Sequence, residues 1–333
     1  MNIKYLYILF IPFLLFSCSK EAIVTPISEE ETTVTQNDVF SQIYNTTNGG
    51  LMDNMINDIK HTSTITKIAT DNGYTTFDGT TWNTLTSSNS SLPSNKVNCI
   101  KVDGTNTWIG TDNGLVKYNG TSMTIYNTSN SSLPLNKIRS LEIDAANNLW
   151  VGSFNGGGLS KFDGSNWTVY TPGNSNLPNN SIASITKDNT GNIWVATANG
   201  ISMFDGANFI NYQASNSPLP NSNVYTIAID NNNIKWIGSN GGLTRFDNTN
   251  WQTYDMQNSG LPLNLVRTIA IEGNTNIWIG MAGQGIVNFD YNANSWTHYN
   301  TNNSNLQNNY INQITIAPNN KKWLSTENGI AIK

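Results

Sequence analysis

Residues 235–247 read KWIGSNGGLTRFD, and this stretch decides the fold. Its first five residues are typical of a short strand, its Asn-Gly-Gly is a hairpin-turn signal, and the residues after the turn form a second strand pattern. The same order recurs around five other tryptophans, at intervals of 42 to 45 residues. The six copies are TWIGTDNGL at Trp108, LWVGSFNGGGL at Trp150, IWVATANGI at Trp194, KWIGSNGGL at Trp236, IWIGMAGQGI at Trp278 and KWLSTENGI at Trp323. A seventh copy, TKIATDNGY, has Lys67 in place of the tryptophan.

Each copy lies inside a longer unit of four short strands. A β-rich stretch such as 226–230 precedes the Trp strand, and an aromatic strand such as 251–254 follows the hairpin. Turn residues separate the four pieces, so each unit is predicted to form an antiparallel meander. A polar link ending in Leu-Pro-x-Asn then leads to the next unit, as at Leu133-Pro134 and Leu219-Pro220.

A repeat of this length with four strands has the period of a propeller blade, whereas helical repeats would show an apolar period of 3.6 that is absent here. The last unit, 311–333, has three strands, and residues 40–44 supply a lone strand before the first full unit. The fold class predicted is all-β: a seven-bladed β-propeller of four-stranded antiparallel blades. We further predict that the N-terminal strand completes the last blade and closes the ring, because closure removes two exposed sheet edges.

The six tryptophans are predicted to be core residues rather than ligand contacts. A large aromatic at the same place in each blade can fill the wedge between neighbouring sheets, and each such burial is worth roughly 1.5 to 3 kcal/mol. The Asn-Gly pairs, such as Asn72-Gly73 and Asn199-Gly200, are interpreted as hairpin turns.

The first residues have the form of a secretory signal. Lys4 is followed by a short apolar run from Tyr5 to Phe16, which is too short to span a bilayer as a helix. Leu15-Phe16-Ser17-Cys18 closes the run and resembles the lipobox of bacterial lipoproteins, which implies that the Cys18 thiol is acylated. The alternative is an ordinary signal that is cleaved elsewhere.

Residues 19–38 are polar and acidic and show no apolar periodicity, so they are interpreted as a flexible tether. The domain organisation predicted is therefore a lipoprotein signal peptide at 1–18, the tether, and a propeller at 39–333. This places the protein in the cell envelope as an outer-membrane lipoprotein, on the periplasmic or the outer side. Its membrane partner would be engaged through the N-terminal lipid.

The net charge excludes nucleic-acid binding, and the cysteine content excludes an intramolecular disulfide. The formal net charge is −5, so nothing basic enough to bind nucleic acid is present. With Cys18 committed to lipid, Cys99 is the one remaining cysteine, and no intramolecular disulfide can form. Stability must then come from the hydrophobic core.

The order strand, Asx turn, Ile-Trp-Ile-Gly-Thr, Asn-Gly, Gly-Leu-x-x-Phe-Asp, aromatic strand and Leu-Pro-x-Asn-x-Val resembles the two-component-regulator propeller repeat. The resemblance covers about residues 39–333. It implies a relation to the periplasmic ligand-sensing regions of hybrid sensor kinases, many of them carbohydrate sensors, and to stand-alone secreted propellers. The sequence shows no transmembrane, kinase or response-regulator segment, so direct signalling by this polypeptide is not expected.

Catalysis would need titratable side chains that converge, and the chain has two histidines. His61 is predicted to fall in a turn between strands and His298 in an outer aromatic strand. Streptogramin-lyase propellers share seven blades, but their chemistry relies on histidine with a metal and a carboxylate, which these two positions do not supply. We therefore predict no enzyme activity, no metal of the His or Cys type and no cofactor.

One acid recurs at the same place in five blades: Asp103, Asp144, Asp188, Asp230 and Glu272. Each could be a calcium ligand beside asparagines. The favoured interpretation is that each begins the first hairpin turn, where Asp bonds to its own backbone, because a feature repeated in every blade is what structural turns produce.

The residue that opens each first strand is predicted to border the channel mouth, on the face shared by the inter-blade links and the turns between second and third strands. These positions vary between blades, as an asymmetric site requires, and they are Asn57, Asn98, Arg139, Ala183, Tyr225, Arg267 and Asn312. Arg139 and Arg267 lie three blades apart, about 154° around a seven-fold ring, with Tyr225 between them. The alternative is that both arginines are solvated or paired with carboxylates.

Ligand contacts are accordingly predicted from Arg139, Tyr225, Arg267 and Asn98, with the turns near Phe154 and Gln284 as further positions on the same face. Two classes of function remain open. One is a binding or sensor-type module for a glycan or another small polar ligand, and the other is a protein-interaction scaffold of the envelope. A compact polar pocket at the channel mouth favours the first, and an exposed apolar patch favours the second.

Overall fold

The computed structural model describes residues 39–333. In this range the chain forms 28 strands and no helix, arranged as seven antiparallel sheets of four strands. The first strands of neighbouring sheets pack against one another around a complete circuit that includes the last sheet against the first. The predicted seven-bladed propeller is therefore confirmed. The signal peptide, the tether and Cys18 lie outside the described residues.

The strands are numbered in chain order, and each sheet runs from an innermost first strand to an outer fourth strand. The first strands are β2 (Ile56–His61), β6 (Val97–Asp103), β10 (Ile138–Ile143), β14 (Ile182–Lys187), β18 (Val224–Ile229), β22 (Val266–Glu272) and β26 (Ile311–Ile316). The second strands are β3 (Thr66–Thr70), β7 (Asn106–Thr111), β11 (Leu149–Ser153), β15 (Ile193–Thr197), β19 (Lys235–Ser239), β23 (Asn276–Met281) and β27 (Lys322–Thr326). The third strands are β4 (Gly73–Phe77), β8 (Gly114–Tyr118), β12 (Leu159–Phe162), β16 (Gly200–Phe204), β20 (Gly242–Phe246), β24 (Ile286–Asp290) and β28 (Gly329–Ile332). The outer strands are β5 (Trp82–Leu85), β9 (Met123–Tyr126), β13 (Trp167–Tyr170), β17 (Phe209–Tyr212), β21 (Trp251–Tyr254), β25 (Ser295–Tyr299) and β1 (Gln42–Tyr44).

The outer strand of the seventh sheet comes from the beginning of the described chain. β1 pairs with β28 in an antiparallel ladder that places Gln42 opposite Ile332 and Tyr44 opposite Ile330. Just before β1, Phe40 is buried and its N–H donates to Asn305 Oδ1 at 2.9 Å. That this strand is needed to keep the ring closed stays a prediction.

The tryptophans of the repeat are buried between blades, as predicted. Trp108 of the second blade packs against Leu141 and Val151 of the third, and Trp150 of the third packs against Ile185 and Val195 of the fourth. Because each indole touches the next sheet rather than only its own, it fills the gap that opens between twisted sheets as they radiate from the axis. These contacts therefore join neighbouring blades into one core.

The recurring acids have a second role that the sequence did not reveal. Each accepts a hydrogen bond from the indole N–H of its own blade's tryptophan, at 3.2 Å for Asp103, 2.9 Å for Asp144, 3.0 Å for Asp188, 3.5 Å for Asp230 and 3.0 Å for Glu272. Three of them, including Asp144, also accept backbone N–H groups of the turn, as predicted. A buried indole N–H without an acceptor would be costly, so these acids stabilise the tryptophan as well as the turn.

A buried lysine completes this arrangement in the fourth and fifth blades. Lys235 is fully buried in β19, with its Nζ 4.9 Å from the Trp194 ring centroid and 4.0 Å from Asp188 Oδ2. The ammonium donates to Asn233 O at 2.8 Å and to Asn248 Oδ1 at 2.7 Å. Burial lowers the pKa of Lys235, although the nearby carboxylates oppose this effect.

The two blades that meet where the ring begins and ends depart from the pattern. In the first blade, Lys67 stands where the others have tryptophan, and its Nζ donates to Thr107 Oγ1 of the second blade. In the seventh blade, Ala317 stands where five blades have an acid. The Trp323 indole N–H is consequently buried without a hydrogen-bond partner within residues 39–333.

The hairpin turns between second and third strands depend on glycine. Gly200 has a φ of +97°, and a Cβ at this position would lie 2.3 Å from Tyr212 O. A side chain there would be strained by the left-handed backbone and would also clash with the outer strand. The predicted Asn-Gly turn at this position is confirmed.

Candidate functional site: the channel and its mouth

A bulge near the start of every first strand shapes the channel. In all seven sheets the register of the first two strands shifts between the first and third residues of the first strand. The second residue is therefore left out of the regular ladder. These seven second residues are the ones singled out from the sequence, and all seven line one axial cavity of about 210 Å³.

A second cavity, of about 340 Å³, widens the channel at the end where the inter-blade links lie. It is lined by link residues such as Lys96, Lys137 and Tyr310 and by turn residues between second and third strands such as Asp71 and Phe154. The links and these turns therefore share one face, as the blade topology predicts. We call this cavity the mouth and the axial cavity the channel.

Arg139 and Arg267 line both the channel and the mouth. Arg267 Nη1 donates to the Tyr310 hydroxyl at 3.1 Å, and its guanidinium carbon lies 5.0 Å from the Tyr310 ring centroid. Its Nε is buried and has no hydrogen-bond partner within residues 39–333. Arg267 is thus held by an aromatic ring and a hydroxyl rather than by a carboxylate.

The Arg139 side chain forms no hydrogen bond and no ion pair with a residue of the range 39–333. Burial is the main cause that lowers the pKa of Arg139, and the positive charge of Arg267 is the next. The positive charge of Arg267 thus acts on Arg139 across the channel, while the Asp58 carboxylate acts on Arg139 in the opposite direction.

The other charged groups of the channel are paired. Lys60 Nζ lies 2.5 Å from Asp58 Oδ1, and Lys101 forms an ion pair with Glu142. Asp58 also accepts the backbone N–H of Ile100 at 2.7 Å. The channel carboxylates are consequently committed to lysines, which leaves the two arginines as the unbalanced charges.

At the mouth, two further lysines are matched with turn acids. Lys96 Nζ lies 2.7 Å from Asp71 Oδ2, and Lys137 Nζ lies 3.7 Å from Asp112 Oδ2. Glu327 also lines the mouth, but its side chain is exposed. Neither Arg139 nor Arg267 forms an ion pair with a carboxylate of residues 39–333, so the alternative that both arginines pair with carboxylates is not observed.

The side chains of the remaining predicted contacts differ in whether they are already hydrogen-bonded within the protein. Asn98 is buried and donates its amide to Asp112 Oδ1 at 2.8 Å, so its side chain serves the local structure. The Tyr225 hydroxyl donates to Asn240 Oδ1 at 2.9 Å, while Tyr225 itself lines the channel. Phe154 lines the mouth and is 37% exposed, so its ring is open to a ligand.

Gln284 is the predicted position that the structure does not bring to the site. It is exposed, and it is not among the residues lining the channel or the mouth. Its backbone carbonyl oxygen contacts His298 Nε2. Conversely, Tyr310 was not predicted, because it lies one residue before its first strand and so outside the positions that open these strands.

The third residue of each first strand was also missed as a channel residue. Ser140 Oγ accepts the N–H of Ile185 in the next blade at 2.9 Å, in the same way that Asp58 accepts that of Ile100. These positions alternate along the first strand with the buried fourth residue, so a period of two read on aligned repeats would have found them.

The side chains that could act as nucleophile or base are poorly placed for catalysis. Cys99 lines the channel. Burial raises the pKa of its thiol, so the thiol stays protonated at neutral pH. The prediction that His61 lies in a turn is wrong, since it is the last residue of β2. Burial, with a contribution from Lys60, lowers the pKa of His61 to about 4, and its ring nitrogens contact Thr66 and Thr315.

Two broader properties concern the described range. Among residues 39–333, no three His, Cys, Asp or Glu side chains are grouped so that they could hold a metal ion. No helix in this part of the chain is long and apolar enough to cross a membrane.

The sequence matches the family model of the two-component regulator propeller over residues 132–155 and 176–199. These segments are the link, the first strand and the second strand of the third and fourth blades. Two stretches of this chain, in the third and fourth blades, thus match the two-component regulator propeller repeat. No curated protein matches the sequence.

Solved structures share the fold of this repeat protein. The extracellular domain of a protein described as a one-component system of B. thetaiotaomicron is 22% identical, with a TM-score of 0.69 over 90% of this chain and 40% of its own. That of a protein described as a hybrid two-component system of the same organism is 21% identical, with a TM-score of 0.72 over 85% of this chain and 39% of its own. The chain thus spans about two fifths of these proteins.

An enzyme shares the fold as well. Virginiamycin B lyase from Staphylococcus aureus is 15% identical, with a TM-score of 0.70 over 88% of this chain and 97% of its own. At such identities the likeness concerns the fold, which hosts many functions, so function must be argued from the site.

Proposed function

We propose that this propeller is a binding module, of the sensor type, that takes a small polar ligand into the mouth of its channel. The observation that carries the proposal is the convergence of seven variable residues, one from each blade, on a single cavity. Framework residues around them are repeated, so the cavity is lined at a position that is not the same in all seven blades. A concave site with a few polar groups on a rigid scaffold is what small ligands require.

Binding is favoured over turnover by the state of the channel side chains. Asp58 and Glu142 are each committed to a lysine, and the Cys99 thiol is held protonated. In virginiamycin B lyase, a histidine-to-alanine variant is catalytically inactive. In this chain, neither His61 nor His298 lines the channel or the mouth.

A protein-interaction scaffold receives less support from the surface. The large apolar side chains that are exposed within residues 39–333 are spread over different blades and links, and they are Met52, Ile65, Phe154, Ile210 and Met256. Scattered apolar residues are normal on a soluble surface, whereas a docking face would be contiguous. Only Phe154 lies at the proposed site.

The proposal includes an envelope location. The apolar run ending in Leu15-Phe16-Ser17-Cys18 supports export and lipid attachment. A binding module held at the membrane by a lipid would report on its ligand through a partner protein.

The test is a ligand screen with a variant that fills the channel. A glycan and metabolite array on the purified protein should give at least one binder, measured afterwards by calorimetry. Ala183→Trp should abolish that binding, because Ala183 lines the channel. The matched control is Ala207→Trp, an exposed position on a turn of the same blade. Equal affinity of both variants would place the ligand elsewhere.

A further inference from the structure

The charges of the channel do not cancel. Each carboxylate that lines it forms an ion pair with a lysine, namely Asp58 with Lys60 and Glu142 with Lys101. Arg139 and Arg267 line the same cavity, and neither forms an ion pair with a carboxylate of residues 39–333. The lining of the channel therefore carries four positive and two negative side chains, and the excess lies with the two arginines.

Keeping two guanidinium groups together in a partly enclosed cavity is unfavourable. Burial opposes the charged form of each group, and their mutual repulsion adds to this cost. The depressed pKa of Arg139, caused by burial and then by Arg267, is in accord with that repulsion. The Asp58 carboxylate acts on Arg139 in the opposite direction, but it is already ion-paired with Lys60.

The charged groups at the mouth do not offset the repulsion between the two arginines either. Asp71 and Asp112 are bound to Lys96 and Lys137. Glu327 is exposed, so its charge is screened by solvent. The buried Arg267 Nε has no acceptor within residues 39–333, which leaves one more donor of this pair unused.

The surrounding groups restrict the size and kind of ligand. The channel and mouth have volumes of about 210 and 340 Å³, which suit a small molecule rather than a polymer. Tyr310 already orients Arg267, and Phe154 offers an open ring at the mouth. Guanidinium groups present paired N–H donors that match carboxylate, phosphate and sulfate oxygens.

We propose that the ligand of this site carries an anionic group, a carboxylate or a phosphate or sulfate ester, that is bound between Arg139 and Arg267. This inference rests on the proposed function, since it names the chemistry of the ligand for the same cavity. The anion supplies the ion-pair partner that no carboxylate of residues 39–333 provides for the two arginines. The rest of the ligand occupies the mouth against Phe154.

The experiment uses inorganic phosphate as the probe. Line broadening of the phosphorus NMR signal, at constant ionic strength, should report binding to the wild-type protein. Arg139→Gln and Arg267→Gln should each weaken it at least tenfold. Arg245→Gln is the matched control, because Arg245 pairs with Asp247 and stacks on Tyr291 outside the channel, and it should leave binding unchanged. Melting temperatures of all variants show whether each one is folded.

Competition then identifies the anion. Displacement of phosphate by glucuronate but not by sulfate assigns a carboxylate ligand, and the reverse assigns a tetrahedral oxyanion. No phosphate binding by the wild type, or equal binding by Arg139→Gln and Arg245→Gln, overturns the inference. A third outcome separates the two proposals: a neutral sugar binds, Ala183→Trp abolishes this binding, and no anion binds. The proposed function is then supported, and the inference that the ligand is anionic is refuted.

Discussion

Removing the Asp188 carboxylate tests whether the recurring acid holds the blades together or only forms a turn. Asp188 is buried, and its Oδ1 accepts the backbone N–H groups of Thr190 and Asn192 at 3.0 and 2.9 Å. Its Oδ2 accepts the Trp194 indole N–H at 3.0 Å and faces Lys235 of the next blade at 4.0 Å. Asp188→Ala therefore removes contacts within one blade and between two.

The size of the effect follows from which groups can recover a partner. The turn N–H groups can turn to water, so their loss costs little. The Trp194 indole cannot, and a buried donor without an acceptor costs roughly 1–3 kcal/mol. Lys235 loses a buried counter-charge, which can cost about 3–5 kcal/mol, but its bonds to Asn233 and Asn248 reduce this. A total of about 3–5 kcal/mol is expected.

The assay is chemical denaturation followed by tryptophan fluorescence, with the melting temperature as a second readout. At roughly 2–4 °C per kcal/mol for a large domain, the melting temperature should fall by about 6–20 °C. The control is Asp205→Ala in the same blade, whose carboxylate accepts only turn groups, Ala207 N at 2.8 Å and Asn208 N at 2.7 Å. Asp205→Ala should cost much less. Equal losses for the two variants would show that the acid acts only through its turn.

Three further predictions concern the ends of the chain and its pH dependence. Deleting residues 39–46, which include β1, should lower the melting temperature substantially, whereas deleting 19–38 should not, and equal melting temperatures would refute the closing role of β1. Burial lowers the pKa of His61 to about 4, below its ordinary value of 6.5. The unfolded chain therefore binds a proton at His61 more readily than the folded chain does. The free energy of unfolding should consequently fall as the pH drops from 6.5 to 4. His61→Gln should flatten that fall in a denaturation series while His298→Gln should not; an unchanged slope in His61→Gln would contradict this. Fatty-acid labelling should mark the wild type and not Cys18→Ser, and label on the variant would refute acylation at Cys18.

The fold was predictable because one signal was repeated. Trp108, Trp150 and their equivalents recur at the blade period, and the structure buries them between sheets. Single turns such as that at Gly200 were also readable, since the backbone there requires glycine. Local chemistry repeated many times is what a sequence displays most clearly.

The lining of the channel was predictable in position but not in its interactions. The variable second residue of each first strand does border the channel, because blade topology alone determines that face. Which arginines lack partners could not be read, since pairing joins residues far apart in sequence, as Lys101 with Glu142 shows. Asn98 was expected to contact ligand, yet its amide is bound by Asp112. Such assignments depend on side-chain geometry that spacing does not encode.

The seven bulges have a consequence for how this protein can change. A residue left out of the strand ladder can be replaced without breaking ladder hydrogen bonds. Asn57 and Asn312 are less free, since each donates to a backbone carbonyl of the neighbouring blade. Arg139, Ala183 and Tyr225 hold no such main-chain bond and can be exchanged at little cost to folding. Mutation at these positions can therefore redirect ligand preference while the architecture persists, and a combinatorial library confined to them would sample new specificities on an unchanged ring.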